Sequence, residues 1–143
     1  MFYTFTIKIK EGKTFKNVTD TVRDSFIERE MHDIKIQGNH ITGKDDLIKL
    51  DFSSRYPITI SPAKEHFIYD ENTRILTYKI GAFYPIFFNL IYAGVLFLIL
   101  HFLVQHWIIE LVVPSIFFIL ITIAGYAQYQ MTIDKISRKI NED

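Results

Sequence analysis

The chain contains no cysteine. This absence excludes disulfides, thiol redox chemistry, cysteine nucleophiles and thiolate zinc sites, and it is compatible with a reducing compartment. The sequence also lacks an excess of either charge, because it has 16 basic and 16 acidic residues, and residues 1–79 hold most of both in balanced numbers. We therefore expect no broad basic surface and no nucleic-acid partner.

The N-terminus lacks the pattern of a signal peptide. Its first residues, "MFYTFTIKIKEGK", alternate polar and apolar side chains and contain no basic segment followed by a continuous apolar one. We therefore expect any membrane targeting to depend on an internal segment.

Charge is almost absent from residues 80–133, where Glu110 is the only Asp, Glu, Lys or Arg. A soluble domain that covered so long an apolar segment would be much larger than this chain of 143 residues. About 20 helical residues cross a 30 Å hydrocarbon core. We therefore predict a two-helix transmembrane hairpin over residues 81–131, with spans at about 83–104 and 108–129.

Residues 1–80 are predicted to form a small α+β cytosolic domain with a mainly antiparallel sheet. Alternating polar and apolar residues predict a first strand over residues 2–10. The same alternation predicts about five short strands later, one of which contains Ile48, Leu50 and Phe52. The segments "HFIYD" and "RILTYKI" flank "ENT" and predict a β-hairpin.

One amphipathic helix is predicted between the first strand and the others. Val18, Val22 and Phe26 recur every four positions, which indicates a helix over residues 17–31 with Asn17 as its cap. A single helix covers one face of a sheet, so we expect the domain to be only modestly stable without a partner or the membrane.

A partial phosphate-binding pattern lies between two predicted strands. Gly38, Gly43 and Lys44 match G-x-x-x-x-G-K, but Asp45 stands where Ser or Thr would bind magnesium. The residues that follow have strand rather than helix periodicity, so no helix N-terminus is present to bind a phosphate. We interpret the segment as a hairpin connection, and we predict no catalytic or cofactor-binding residues.

Glu110 and Pro114 leave open where the second span begins. Either the helix begins near Ile108 and contains Pro114, or residues 105–113 form the connection and Pro114 occupies the first turn. We favour the second arrangement, because it leaves Glu110 in water and a carboxylate in hydrocarbon costs several kcal/mol.

His101, His106 and Glu110 cluster near the predicted connection between the spans. Such a cluster could hold a proton or a metal ion. Interfacial side chains that reach water explain the cluster more simply, so we predict no metal site.

Aromatic and basic residues predict the orientation of the spans. The interfacial anchors are predicted to be Tyr84, Tyr126 and Tyr129 at the inner end and Trp107 at the outer end. Lys and Arg residues flank both spans on the side of the termini, whereas residues 105–114 contain none. The positive-inside rule therefore predicts that both termini are cytoplasmic.

The last segment, residues 132–143, is predicted to be a cytosolic amphipathic tail. Its apolar residues recur at roughly helical intervals with basic residues between them. Such a tail could extend the second helix and lie against the membrane interface.

Four small or polar residues within the spans could seat another helix: Asn89, Gly94, Thr122 and Gly125. An amide in hydrocarbon needs a hydrogen-bond partner. For Asn89 this partner could be Thr122 or a backbone carbonyl of the same hairpin, or it could belong to another subunit.

These features predict a multi-pass protein of the bacterial inner membrane. We expect a non-enzymatic accessory or adaptor subunit that anchors the cytosolic domain to a larger membrane complex, because two spans are too few for a transport path. Membrane lipids and another integral membrane protein or a second copy are the expected partners. The alternatives are an effector that oligomerises into a pore, with the cytosolic domain as its sensor, and an enzyme with an unrecognised site.

Overall fold

The computed structural model describes residues 1–50, 52 and 58–142. Within these residues the elements follow in this order: β1 (Phe2–Lys8), α1 (Phe15–Glu28), β2 (His32–Gln37), β3 (His40–Lys44), β4 (Ile48–Leu50), β5 (Ile58–Ile60), β6 (Lys64–Asp70), β7 (Ile75–Gly81), α2 (Phe83–Leu103) and α3 (Trp107–Glu142).

Five strands form one antiparallel sheet in the order β1-β7-β6-β3-β2. The interior strand β7 pairs with β1 and β6, so that Tyr78 lies opposite both Phe5 and Phe67. Strands β4 and β5 form a separate pair. This arrangement confirms the predicted antiparallel α+β domain and the hairpin around "ENT", which is the turn between β6 and β7.

Two segments of the sheet can be compared with their predictions. Gly38, with a φ of 56°, lies in the turn between β2 and β3, which confirms that the glycine-bearing segment is a hairpin connection. The strand predicted through Phe52 is shorter, since β4 ends at Leu50 and Phe52 lies in a turn. Asp51, between them, lies outside the described residues.

Helix α1 covers part of one face of the sheet. It begins two residues before its predicted start, because Thr14 rather than Asn17 is the cap: the Thr14 hydroxyl accepts a hydrogen bond from the Asn17 backbone N–H at 3.3 Å. Gly43 allows the helix to approach the sheet closely, because a Cβ at this position would lie 3.0 Å from the Phe26 ring.

Helices α2 and α3 are both long and apolar enough to cross a membrane. Their lengths of 21 and 36 residues correspond to about 32 and 54 Å. Only 6% and 11% of the residues in their most apolar segments are buried, unlike the core helices of soluble proteins. The predicted pair of apolar helices is therefore present.

The arrangement that we favoured for the start of the second helix is wrong. Helix α3 begins at Trp107 and contains Pro114 in its interior. Glu110 lies in the first turn and is buried. Its carboxylate lies 3.0 Å from Nδ1 of His101 on α2. This partner reduces the cost of removing the carboxylate from water, so the residue does not need a place in the connection.

The C-terminal part of α3 belongs to the core of the α+β domain. Residues 132–142 continue the helix without a break, and Ile133, Ile136 and Ile140 are buried in the same cluster as the sheet residues. The tail thus extends the second helix, as the sequence allowed, but its apolar stripe packs against protein instead of the membrane interface. Asp143 lies outside the described residues.

The two helices on the sheet lie side by side. Lys139 of α3 bonds to Glu28 of α1 at 2.6 Å, and Asn141 accepts a hydrogen bond from the Lys10 backbone N–H at 2.9 Å. The opposite face of the sheet carries polar residues such as His66 and Lys79. The sheet therefore needs cover on one face only, and α3 supplies the part that α1 leaves open.

Candidate functional site

A cavity of about 340 Å³ lies where α3 leaves its apolar segment and meets the sheet. We call it the junction cavity. The end of α1, the β4–β5 pair, β6, β7 and α3 surround it, and its polar lining includes Arg29, Lys49, Glu65, Tyr78, Gln128 and Tyr129.

A buried ion pair forms the centre of this lining. Glu65 occupies a core-facing position of β6, in alternation with Phe67 and Tyr69, and is only 3% exposed. Nη1 of Arg29, the residue that caps the end of α1, donates to both carboxylate oxygens of Glu65 at 2.7 and 2.8 Å. Burial lowers the pKa of Arg29, but the Glu65 carboxylate and the Tyr78 hydroxyl together raise it above its usual value. Arg29 therefore stays protonated.

Two buried polar atoms beside the ion pair lack a partner. Among the described residues, neither Nη2 of Arg29 nor the hydroxyl of Tyr78 has a hydrogen-bond partner. Burial, followed by the charge of Glu65, raises the pKa of Tyr78, so the phenol stays protonated and can donate.

Lys49 connects the β4–β5 pair to this network. Its Nζ donates to the Arg29 carbonyl at 2.6 Å and pairs with Asp45 at 2.9 Å. A cation at this carbonyl also interacts favourably with the C-terminal end of α1. The two cations Arg29 and Lys49 are therefore each matched by a carboxylate, and these four residues carry no net charge.

A second cavity, of about 280 Å³, lies between α2 and α3, and we call it the interhelical groove. Its lining is mixed, with apolar residues such as Phe88 beside the polar side chains of Asn89 and Gln128. Ile60, Gln128 and Tyr129 line both this groove and the junction cavity, so the two spaces adjoin.

The residues predicted to seat another helix have different positions in the helix pair. The Asn89 amide donates to the Thr122 hydroxyl at 3.2 Å, so the structure contains the bond within the hairpin. A Cβ added at Gly94 or Gly125 would meet no described atom within 4 Å. Both glycines therefore leave open space beside the helix pair.

The predicted aromatic anchors lie at both ends of the pair. Tyr84 and Trp107 are exposed at opposite ends. Tyr126 and Tyr129 instead contact Tyr3 of β1, with ring centroids 5.4 and 6.3 Å apart. These two tyrosines thus attach α3 to the sheet, a contact that the sequence did not indicate.

The polar cluster at the other end of the helices is smaller than the sequence suggested. His101 pairs with Glu110, whereas His106 is exposed and takes no part in the pair. No group of three or more potential metal ligands occurs in the described part of the chain. The His101–Glu110 pair joins α2 and α3 near their connection.

The junction cavity was not predicted from the sequence. One signal was present, because Glu65 interrupts a row of apolar core-facing positions, and a buried carboxylate requires a partner. The identity of that partner depends on the position of α1, since Arg29 and Glu65 are 36 residues apart.

No known protein family matches this chain, and no similar curated protein or solved structure was found. Its functional interpretation therefore depends on the geometry of the two cavities and of α3.

Proposed function

We propose that this chain is a non-enzymatic integral protein of the bacterial inner membrane, an accessory or adaptor subunit that anchors its α+β domain to a larger membrane complex. One observation carries the proposal: α3 supplies both the second apolar helix and three buried isoleucines of the domain core. A flexible linker would let the domain move freely beside a membrane. A shared helix instead holds it at a set position and orientation, as an anchoring subunit requires.

The proposed topology has both termini in the cytoplasm and the connection of residues 104–106 outside. Exposure of the apolar segments supports insertion, and the basic residues beside them on the side of the termini support this orientation. The absence of cysteine permits a direct test, since a single introduced cysteine has no background.

The topology test compares two exposed positions, His106→Cys in the connection and Lys135→Cys in the domain. In intact spheroplasts a membrane-impermeant maleimide should label the first variant and should label the second only after permeabilisation. Labelling of Lys135→Cys in intact spheroplasts would contradict the topology, and equal labelling of both before permeabilisation would contradict membrane insertion.

The partner is expected at a face of the helices that the chain itself does not cover. Gly94 lies on such a face of α2, and Leu98 follows it one turn later. Ile99 is similarly exposed but points about 100° away around the helix, which makes it a matched control. A photoreactive amino acid can be placed at either position.

Irradiation of native membranes should crosslink a different protein to the Leu98 variant and much less to the Ile99 variant. Mass spectrometry of the adduct would identify the complex. Crosslinks between two copies of the chain would instead favour the oligomeric effector. A protein that forms no adduct and purifies alone in mild detergent would refute the subunit proposal.

A further inference from the structure

Strands β4 and β5 extend two strands of the sheet beyond its end. Strands β3 and β6 pair along their length, and the pairing continues past them. The Asp45 backbone N–H donates to the Ala63 carbonyl at 2.9 Å, and the Ser61 N–H donates to the Leu47 carbonyl at 3.0 Å. The β4–β5 pair is therefore the projecting end of a ribbon that begins in the sheet.

The ribbon projects at the end of the sheet where the first apolar helix begins. Only Ala82 separates β7 from α2. Ile80, near the end of β7, lies opposite Glu65, near the start of β6, so β5 enters the sheet at this same end. Ile60 of β5 lines the interhelical groove together with Pro85 of the first turn of α2. The β4–β5 pair thus lies beside the point where α2 leaves the sheet.

One face of the β4–β5 pair carries exposed apolar side chains. Ile48 lies directly opposite Ile60, so both belong to the face that meets α2. Ile48 is exposed and Leu50 is 63% exposed, whereas Lys49 between them points to the other face and lines the junction cavity. Phe52, in the following turn, is 83% exposed. Clustered apolar side chains of this kind mark a contact with a partner or a membrane.

The polar face of the sheet is basic at the same end. Lys44 and Lys64 lie directly opposite each other, and Lys79 lies opposite His66 in the adjoining row. Like charges in directly opposite positions repel each other. Asp33 pairs with Lys44, but no carboxylate of the described residues pairs with Lys64 or Lys79. An anionic surface at this end would relieve the repulsion.

We propose that the β4–β5 pair lies in the interface of an anionic bilayer, with Ile48 and Leu50 against the acyl chains and with Lys64 and Lys79 at the lipid phosphates. The proposal rests on the membrane insertion of α2 and α3 that we propose above. Interfacial segments of this polarity bury their apolar side about 5–10 Å into the boundary between headgroups and acyl chains. Together with α2 and α3, this contact sets the angle between the α+β domain and the membrane.

The test uses the purified full chain in liposomes of phosphatidylglycerol and phosphatidylethanolamine with brominated acyl chains and no other protein. Trp107 is the only tryptophan, so Trp107→Phe gives a background without indole fluorescence. In this background Leu50→Trp should be quenched most by bromines close to the headgroups. Ile75→Trp is the matched control, because Ile75 is also an exposed apolar strand residue but lies about 20 Å from Gly81, at the other end of β7. Its fluorescence should not be quenched.

A third position separates this proposal from membrane insertion itself. Val95 is exposed near the middle of α2, so Val95→Trp should be quenched most by bromines near the ends of the acyl chains. Quenching of Val95→Trp without quenching of Leu50→Trp would overturn the interfacial contact and leave insertion intact. No quenching of either variant would refute insertion, and this proposal with it. Equal quenching of Leu50→Trp and Ile75→Trp would also overturn the contact.

The basic residues are tested by comparing brominated phosphatidylglycerol with brominated phosphatidylcholine as quenchers of Leu50→Trp. We expect a preference for phosphatidylglycerol. Lys64→Gln/Lys79→Gln should reduce it by about fivefold or more, which is the effect of one lysine near an anionic surface. Lys8→Gln/Lys10→Gln makes the same change in charge at exposed positions at the other end of the sheet and should leave the preference unchanged. An equal effect of both pairs, or no preference in the parent chain, would overturn the proposal in this form.

Discussion

Replacing Ile136 by alanine should strongly destabilise the α+β domain, although this residue follows the apolar part of α3. Ile136 is 2% exposed and lies in the core with Ile133 and Ile140. Removal of a buried isoleucine side chain to alanine costs about 2–5 kcal/mol. A domain of this size has a free energy of unfolding on the order of 5–15 kcal/mol. The single change should therefore remove a large fraction of that stability.

Hydrogen exchange of the full chain in detergent would measure this effect. Amides of the interior strand β7 should exchange through global opening of the domain. A loss of about 3 kcal/mol should accelerate their exchange by roughly 150-fold. The double variant Ile133→Ala/Ile136→Ala should lose about 6 kcal/mol, which exceeds the total stability of a domain at the lower end of this range.

Met131→Ala is the matched control, because Met131 lies on the same segment and is 67% exposed. Its effect should stay within about 0.5 kcal/mol. Unchanged exchange of β7 in Ile136→Ala, or an equal effect of Met131→Ala, would show that this segment is not part of the core. The argument that a shared helix anchors the domain would then fail.

Three other predictions concern polar residues. Arg29→Met should lower the free energy of unfolding by about 3 kcal/mol, because it leaves Glu65 buried and unpaired. Adding Glu65→Leu should recover most of this loss. If the double variant is no more stable than Arg29→Met, the unpaired carboxylate is not the cause of the loss. A double-mutant cycle with Thr122→Val and Asn89→Ala should give a coupling energy of only about 0.6 kcal/mol between the two residues, and a coupling energy of zero would exclude the bond. Burial and then nearby positive charges lower the pKa of His66. Because the unfolded chain then binds more protons, stability should decrease as the pH falls below about 6.5. His66→Gln should reduce this slope in unfolding experiments between about pH 5 and 7, and an unchanged slope would contradict the assignment.

Local patterns were sufficient for most of the secondary structure. The buried face of an element determines the alternation in the strands and the helical stripe of Val18, Val22 and Phe26. Such periodicity can be recognised from residues that are close together in the sequence. Helix ends were less certain. Thr14 and Asn17 can both cap a helix, and only the backbone conformation of Thr14 decided between them.

The start of α3 shows where local reasoning failed. Glu110 was assigned to the connection because an isolated carboxylate is costly in hydrocarbon. The cost of burying this carboxylate is lower when Nδ1 of His101 lies 3.0 Å from it, and the two residues belong to different helices. Contacts between helices depend on how the helices pack, and no spacing along the chain indicates that arrangement.

The sequence by itself determined that the chain contains an antiparallel α+β domain and two long apolar helices, since composition and periodicity record which surfaces avoid water. Only the tertiary structure decided that α3 belongs to both parts. The stripe of Ile133, Ile136 and Ile140 fits a membrane interface and a protein core equally well, because burial of apolar surface is not directional. In the folded chain the stripe packs on the sheet and belongs to the core. The same packing brings Arg29, Glu65 and Tyr78 together at the junction cavity.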